Sequence, residues 1–371
     1  MTLVLSNANL VLPDRVMHGG LEAGPLIQSI TTAQSGGIDC EGDYVLPGAI
    51  DLHTDNLERQ VQPRQKTRWP SRSAMLIHDA QCAAAGITTV FDALCVGDLG
   101  FDEDRHRSFV EGARDLIDLQ AVLKIAHYLH LRCELPAPDM LEKFELAANH
   151  PALRLISLMD HTPGFGQYAD IERYKIMREG DGEAVHITEA RIASLQAQRI
   201  ALRAGNRAAL LARVAGLGIK LATHDDRSAE EVAENIAAGI GIAEFPVTRE
   251  AALAARAGGQ GIIAGAPNVV RGGSHTGNVA VADLVREKLV DVLASDYVPA
   301  SLIEAAFMLP RGQEISLPDA VKLITSAPAA MAGLDDRGAI APGLRADLVR
   351  VKFIDGMAIV RAVWCQGVRV A

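Results

Sequence analysis

The chain has 371 residues, of which 49% are hydrophobic and 22% are charged, a composition typical of a globular protein with a substantial core. The formal net charge of −10 disfavours nucleic acid as a partner, and no uncharged apolar run approaches the roughly 20 residues that span a bilayer. The five cysteines form no CxxC pair, and the first residues lack the basic and apolar regions of a signal peptide. We therefore expect a cytoplasmic protein that binds neither nucleic acid nor membrane; a homo-oligomer is compatible with the sequence.

The two ends of the chain share one character, namely short β-rich segments separated by Gly, Pro and Asp turns. Such segments are found at residues 3–5, 347–353 and 363–370. Neither end is long enough to form a core of ordinary size by itself. We predict that residues 1–48 and 338–371 pair into one small β-sandwich, and that residues 49–337 form a separate domain.

Between the two ends, apolar segments rich in β-branched residues alternate with longer segments of helical character. The predicted strands are residues 49–55, 87–94, 125–134, 154–160, 220–225, 242–247, 261–269 and 290–296. Eight such strands are what a (β/α)8 TIM barrel requires. A doubly wound sheet is disfavoured because no GxGxxG follows a strand. The predicted fold is therefore an α/β barrel that carries a small terminal β-sandwich.

The first predicted barrel strand ends in two side chains that can bind a metal, His53 and Asp55. Their i, i+2 spacing places both on one face of the strand. The active sites of such barrels lie at the C-terminal ends of the strands. This pair alone is equally compatible with a capped turn, so further residues must support a metal site.

Polar residues end most of the later strands as well. They are His130, Arg132 and Glu134 on one face of strand three, then Asp160, His161, His224, Asp225, Glu244 and Asp296. Each has an ordinary alternative: a core histidine for His130, an ion pair of Arg132 with Glu134, and a helix N-cap for Asp160. Taken together, these imidazoles and carboxylates are the ligand types of zinc and related divalent ions.

Two long segments and one glycine-rich segment follow barrel strands. Residues 56–72 include Arg64, Lys66 and Arg68, whereas residues 161–186 include a Pro-Gly-Phe-Gly run. Segments of this length without obvious structure are usually lids or binding elements, or are disordered. The glycine-rich segment 271–277 contains Arg271 and His275; His275 is as compatible with a surface position as with contact to phosphate.

Six segments in chain order resemble the amidohydrolase superfamily, and in particular its phosphonate-metabolism branch. The segments are residues 51–58, 130–134, 158–164, 244–246, 268–278 and 295–297. The resemblance implies hydrolysis of α-D-ribose 1-methylphosphonate 5-triphosphate, a small phosphorylated sugar, to the 5-phosphate plus diphosphate. That reaction belongs to the carbon–phosphorus lyase pathway of phosphonate catabolism.

The resemblance also implies roles for individual residues. His53 and Asp55 match the strand-one metal pair, Glu134 the bridging carboxylate, His224 the strand-five ligand and Asp296 the catalytic acid, which also binds metal. The chain departs from the commoner pattern because Asp55 replaces a second His and strand six offers Glu244 instead of His; His161 could supply the missing imidazole. The implied cofactor is one or two divalent ions, zinc first, with manganese or iron as alternatives. The expected phosphate-binding residues are Arg132, Arg271, His130, His275, Arg64, Lys66 and Arg68.

Two other functions are compatible with the same scaffold. One is an amidohydrolase that acts on a C–N bond, as a deaminase, deacetylase or cyclic amidase. The other is a barrel without activity that serves as a binding subunit. The basic segment and the departure at strand six argue against the first, and the retained ligand types argue against the second.

Overall fold

The two ends of the chain form one sheet in the computed structural model, which describes residues 2–33, 35–64, 67–100, 105–180, 182–274, 277–312 and 315–371. Its strands are β1 (Leu3–Val11), β2 (Val16–Ala23), β3 (Ile27–Thr31), β4 (Ile38–Asp39), β5 (Tyr44–Pro47), β14 (Leu348–Ile354), β15 (Met357–Cys365) and β16 (Val368–Arg369). Their order is β16-β15-β14-β5-β1-β2-β3, with β4 beside β1. β5 pairs antiparallel with β14, so the two ends depend on each other for their hydrogen bonds.

Eight parallel strands form the second sheet. They are β6 (Ala49–Thr54), β7 (Ile87–Val96), β8 (Ala126–Glu134), β9 (Leu153–Met159), β10 (Lys220–His224), β11 (Ile242–Glu244), β12 (Gly261–Gly265) and β13 (Val292–Ala294). Each strand pairs with the next one in sequence. Every residue of β6 and β7 is buried, which explains why these strands lack polar alternation.

The last strand returns to the first and closes the ring. The amide of Asp296 donates to the carbonyl of His53 at 3.0 Å, and the amide of Asp55 donates to the carbonyl of Asp296 at 3.0 Å. Thr54 adds a side-chain hydrogen bond of 2.9 Å to the same Asp296 carbonyl. The predicted (β/α)8 barrel is therefore confirmed, and its seam runs through residues predicted to form the site.

Helices occupy most of the segments between strands. They are α1 (Asn56–Val61), α2 (Ser71–Ala84), α3 (Arg105–Asp118), α4 (Met140–Glu145), α5 (Ile171–Gly180), α6 (Val185–Val214), α7 (Ala229–Ala237), α8 (Arg249–Ala257), α9 (Ala266–Arg271), α10 (Val281–Arg286), α11 (Ser301–Met308), α12 (Leu317–Lys322) and α13 (Ser326–Ala332). Short 3-10 turns cover Gly166–Tyr168 and Leu309–Arg311. None of the described helices is long and apolar enough to cross a membrane.

The structure corrects three sequence-based boundaries. The predicted strand 261–269 ends at Gly265, where α9 begins with Pro267 in its first turn, the position where a helix tolerates proline. Residues 56–72 are not all loop, because α1 begins directly after Asp55. Residues 161–186 contain α5, whose single buried side chain, Tyr174, gave the sequence no clear amphipathic pattern.

Candidate active site

A cavity of about 770 Å³ opens at the C-terminal ends of the barrel strands. His53, Asp55, Arg132, His224 and Asp296 all line it. These residues come from β6, β8, β10 and the turn after β13, so the barrel brings together side chains that are far apart in the sequence. The predicted convergence of strand-end residues is therefore present in the fold.

His53 is buried, and its orientation is fixed from behind by Glu244. The Nδ1 atom of His53 lies 2.9 Å from Oε1 of Glu244, whose Oε2 accepts a 2.6 Å hydrogen bond from Ser157. Burial holds the pKa of His53 well below its ordinary value, so the imidazole is neutral. With Nδ1 occupied by a carboxylate, Nε2 is the nitrogen available for a metal. Glu244 therefore supports a candidate ligand instead of replacing the strand-six His.

Asp55 and Asp296 lie in an environment that disfavours their negative charges. Burial and the charge of Asp296 raise the pKa of Asp55 to about 7, and burial raises the pKa of Asp296 to about 6. Nη1 of Arg132 lies 3.9 Å from Oδ2 of Asp55, a long contact. Oδ1 of Asp55 is buried and has no hydrogen-bond partner among the described residues. Such a carboxylate pair fits a bound cation.

A second group of candidate ligands adjoins the first. Nδ1 of His224 lies 2.9 Å from Oδ2 of Asp225, and Nε2 of His161 lies 4.0 Å from the same oxygen. Burial lowers the pKa of His224, but the charge and hydrogen bond of Asp225, together with the charge of Glu244, outweigh burial and the net shift is upward. Nε2 of His224 is buried without a partner in the described part of the chain. His161, His224 and Asp225 can present ligand atoms within 4.8 Å of one another.

Glu134, predicted as a bridging carboxylate, contacts His161 with both oxygens. Oε1 accepts from the His161 amide at 2.8 Å, and Oε2 lies 2.6 Å from Nδ1 of the same residue. In this arrangement Glu134 orients His161 towards Asp225. Asp160, which precedes His161, pairs with Arg199 at 2.6 Å and Arg203 at 3.0 Å and does not reach the cavity.

Three residues at the ends of β10, β11 and β13 have left-handed backbone conformations. They are Asp225 (φ 61°), Phe245 (φ 54°) and Asp296 (φ 55°). This region is unfavourable for a bulky residue such as Phe245. Its ring packs edge-on against His53 at 4.9 Å and His224 at 5.4 Å between centroids. At these three positions the strained backbone directs side chains into the cavity, which all three line.

Six of the seven predicted phosphate-binding residues fall into three groups. Arg132 and Arg271 line the cavity, Arg132 at its floor with its side chain 11% exposed. Arg64 and Arg68 do not line it: Arg64 is exposed elsewhere, and Arg68 pairs with Glu111 at 2.7 Å. Lys66 and His275 lie outside the described residues.

His130 is also not a phosphate ligand in this arrangement, because its side chain is enclosed below the cavity. Nδ1 lies 3.0 Å from the Leu52 carbonyl and Nε2 lies 2.6 Å from the Ser157 hydroxyl. Burial lowers its pKa to about 3. The ordinary interpretation, a hydrogen-bonded core histidine, is the one that fits.

The sequence argument missed two contributors to the cavity. Asp225 was noted beside His224 but was not assigned as a ligand; its adjacency to His224 was the available signal. Met177 and Arg178 also line the cavity, and they reach it because α5 extends over the mouth. No local pattern indicated this, because the path of residues 161–186 depends on tertiary packing.

Comparisons with known proteins agree with this architecture. An amidohydrolase family profile matches residues 140–371. The chain is 42% identical over 380 aligned residues to α-D-ribose 1-methylphosphonate 5-triphosphate diphosphatase of Escherichia coli (strain K12), covering 99% of this chain and 100% of that protein.

Solved structures share the fold at low identity. N-acetyl-D-glucosamine-6-phosphate deacetylase from Mycobacterium smegmatis aligns with a TM-score of 0.65 at 15% identity, over 99% of each chain. Dihydropyrimidinase from Brevibacillus agri NCHU1002 aligns with a TM-score of 0.64 at 15% identity, over 100% of this chain and 95% of that chain. The protein therefore belongs to the amidohydrolase family and, within it, to the family of the α-D-ribose 1-methylphosphonate 5-triphosphate diphosphatase.

Proposed function

We propose that this protein hydrolyses α-D-ribose 1-methylphosphonate 5-triphosphate to the 5-phosphate and diphosphate. The full-length similarity to a diphosphatase supports the substrate. The observation that carries the proposal is the placement of the Arg132 guanidinium at the floor of the cavity, beside Asp55 and its unpartnered oxygen. A cation of this kind suits a phosphoryl group and has no evident use in hydrolysis of a neutral amide.

Two sets of residues offer ligands for divalent ions. His53, Asp55 and Asp296, which line the cavity together, would supply ligands to one ion. His161, His224 and Asp225, whose ligand atoms lie within 4.8 Å of one another, would hold a second, with Glu244 orienting His53 and Glu134 orienting His161. The fit rests on the buried Oδ1 of Asp55 and Nε2 of His224, for which the described residues provide no partner. Mixed imidazole and carboxylate ligands suit zinc, manganese or iron, with zinc our first choice. A bound ion would polarise the phosphoryl group and make the attacking water more acidic.

Asp296 is the proton acceptor in this proposal. Its carboxylate lines the cavity, and its pKa of about 6 is close to neutrality. A group with a pKa near the working pH can take a proton from water and release it again. The left-handed backbone at Asp296 holds the carboxylate at the seam of the barrel.

Arg132 binds and stabilises charge on the phosphoryl group. Burial lowers the pKa of Arg132, but Cys95 and the carboxylates of Asp55, Glu58 and Asp296 outweigh burial and raise the pKa further above the ordinary arginine value, so Arg132 stays charged. Its Nε is buried without a partner among the described residues. Fixed donors in a site with little water stabilise developing negative charge more strongly than donors in bulk solvent.

Phosphorus NMR of the metal-loaded protein with the ribosyl phosphonate triphosphate tests the proposal. We expect signals of diphosphate and the 5-phosphate, and loss of turnover in Asp296→Asn. Release of orthophosphate, or no turnover together with hydrolysis of a cyclic amide or release of ammonia, would contradict it. Absence of a stoichiometric divalent ion under every loading condition would instead favour a binding subunit.

A further inference from the structure

Two segments that line the cavity differ in the chemistry they offer. The segment that follows β12 contributes Asn268, Arg271, Gly273, Ser274 and Asn278, which we call the polar wall, together with the apolar Pro267, Val279, Val281 and Leu284. Amide, guanidinium, hydroxyl and backbone donors in one wall suit a ligand with many oxygens and several charges. This polar wall matches a polyphosphate tail.

The segment that follows β9 forms a wall of a different kind, which we call the α5 wall: Gln167, Tyr168, Met177 and Arg178. It offers one guanidinium beside apolar surface. Met177 is 41% exposed although it is an apolar side chain. The Tyr168 ring packs against Tyr174 at 5.4 Å and His161 at 6.0 Å between centroids, so this surface is held close to the candidate metal ligands.

α5 contacts other elements near both of its ends. Near its start, the Arg173 guanidinium lies so close to Gly277, in the segment after α9, that a β-carbon at Gly277 would collide with it. Arg178 lies about 7.5 Å further along the helix axis, at 1.5 Å per residue. Its Nε donates to Glu183 at 2.7 Å, and Glu183 also pairs with Arg191 at 2.9 Å. Arg178 is therefore a positioned cation with its side chain 19% exposed.

Given the proposed function, we infer that the α5 wall binds the 1-methylphosphonate group and that the polar wall binds the triphosphate tail. A methylphosphonate ester carries one negative charge and one methyl group. Arg178 matches the charge, while Met177 and Tyr168 match the methyl group. A polyphosphate would bring several charges to one guanidinium and would leave the apolar surface of Met177 unused.

Two substrates distinguish the contributions of the two walls. One is the ribosyl methylphosphonate 5-triphosphate, and the other is the methyl riboside 5-triphosphate, which lacks the phosphonate. Arg178→Gln should lower kcat/KM for the first about 10- to 100-fold, the usual effect of losing a charged hydrogen bond, and leave the second nearly unchanged. Arg271→Gln should lower kcat/KM for both. Lys175→Gln, on the same helix but outside the cavity, is the matched control and should change neither.

The methyl contact has its own test. The wild type should prefer the methylphosphonate over the corresponding 1-phosphate, and Met177→Asn should reduce that preference about fourfold, the value of one buried methyl group. An unchanged preference in Met177→Asn would overturn the assignment of the methyl group.

The remaining outcomes distinguish this inference from the proposed function. If the wild type cleaves both triphosphates and Arg178→Gln loses activity equally on both, the α5 wall assignment is wrong and the proposed function stands. If the wild type cleaves neither, the proposed function fails and the subsite fails with it. Arg178→Lys keeps the positive charge and is the control for a folding defect. It should recover part of the lost kcat/KM, and only for the phosphonate substrate. No recovery in a folded variant would count against the assignment.

Discussion

Among the residues that the structure describes, one cluster of buried histidines and carboxylates adjoins the cavity at the mouth of the barrel, and another lies away from that cavity. The mouth cluster comprises His53, Asp55, Glu134, His161, His224, Asp225, Glu244 and Asp296. The inner cluster comprises His78 and Asp79 on α2, Asp92 on β7 and His127 on β8. Both contain residues with the geometry of a metal site, His78, Asp92 and His127 in the second case. Residue type and distance therefore do not distinguish them.

What differs is how completely their polar atoms are paired. In the inner cluster, His127 reaches Asp92 at 2.8 Å and Asp79 at 3.2 Å, one carboxylate for each ring nitrogen. His78 reaches Asp92 at 2.6 Å and Asn56 at 3.0 Å. The mouth cluster leaves Oδ1 of Asp55 and Nε2 of His224 without described partners. The fully paired buried charges of the inner cluster stabilise the packing of α2 on the barrel. The unpaired polar atoms that face the cavity are available to bind a ligand.

The largest expected effect is on activity at the mouth. Asp296→Asn should lower kcat about 100- to 10,000-fold, the usual contribution of general acid–base catalysis. Because the barrel seam uses the backbone of Asp296, the fold and its melting temperature should be retained. Steady-state kinetics and metal analysis of the same preparation measure this. Unaltered turnover of the triphosphate would remove Asp296 from the proton-acceptor role.

The inner cluster should respond in stability instead. Asp92→Asn removes the carboxylate shared by His78 and His127, and we expect a loss of about 3–5 kcal/mol, as for a broken buried ion pair. Denaturant unfolding measures the loss, with metal content per folded chain as the control. A variant that keeps its stability but loses metal would show that the two clusters have been assigned the wrong way round.

Arg132→Ala tests whether the mouth is built for phosphate. We expect loss of about 100-fold in kcat/KM for the triphosphate, as for removal of a fixed charge-stabilising donor, with bound metal retained. Competition between the triphosphate and uncharged ester substrates measures the preference of the enzyme for the charged substrate. Unchanged selectivity would contradict the role of Arg132.

The inner cluster should also make stability depend on alkaline pH. Burial lowers the pKa of His127, but Asp92 and Asp79 outweigh burial and raise it to about 9 from an ordinary 6.5. The folded state binds this proton more tightly than the unfolded state, so the contribution is fully present below pH 6.5 and is lost as the pH rises through 9. The difference in melting temperature between wild type and His127→Gln, measured from pH 6 to 10, should shrink with rising pH. A constant difference would argue against a charged His127.

The smallest expected effect is on the stability of the metal-free protein, which Asp55→Asn should raise instead of lower. Burial and Asp296 raise the pKa of Asp55 to about 7, so at neutral pH and above its charge destabilises the metal-free protein. The amide removes that charge, and the metal-free variant should melt a few degrees higher. Calorimetry of the metal-free and the metal-loaded protein measures both melting temperatures. Metal should raise the melting temperature less in the variant than in the wild type. A lower melting temperature in the metal-free variant would contradict the unfavourable environment.

The sequence predicted the barrel well because eight buried β-branched segments have few other solutions. It also placed His53, Asp55, Arg132, His224 and Asp296 in one site, since the C-terminal ends of parallel strands meet at one end of a barrel. The sequence did not predict that Arg68 lies away from the cavity, because its partner Glu111 is distant in sequence, on α3.

The inner cluster also escaped the sequence argument, although its residues are of the same types. His78 and Asp79 lie in the middle of α2, Asp92 lies inside β7, and His127 lies at the start of β8, away from its C-terminal end. No spacing rule joins them, because each contact crosses between elements. The position of α5 over the mouth was not predicted for the same reason, because it depends on tertiary packing.

The seam of the barrel has a consequence for how the protein is made. Thr54 and Asp296 are 242 residues apart, yet their hydrogen bond closes the ring at the level of His53 and Asp55. At about 5–20 residues per second, a ribosome releases the first half of this seam long before the second. An unfinished chain lacks Asp296, so the ligand set that we propose for the first ion, His53, Asp55 and Asp296, is incomplete until the last barrel strand has been made. Binding of that ion would then follow synthesis of nearly the whole barrel.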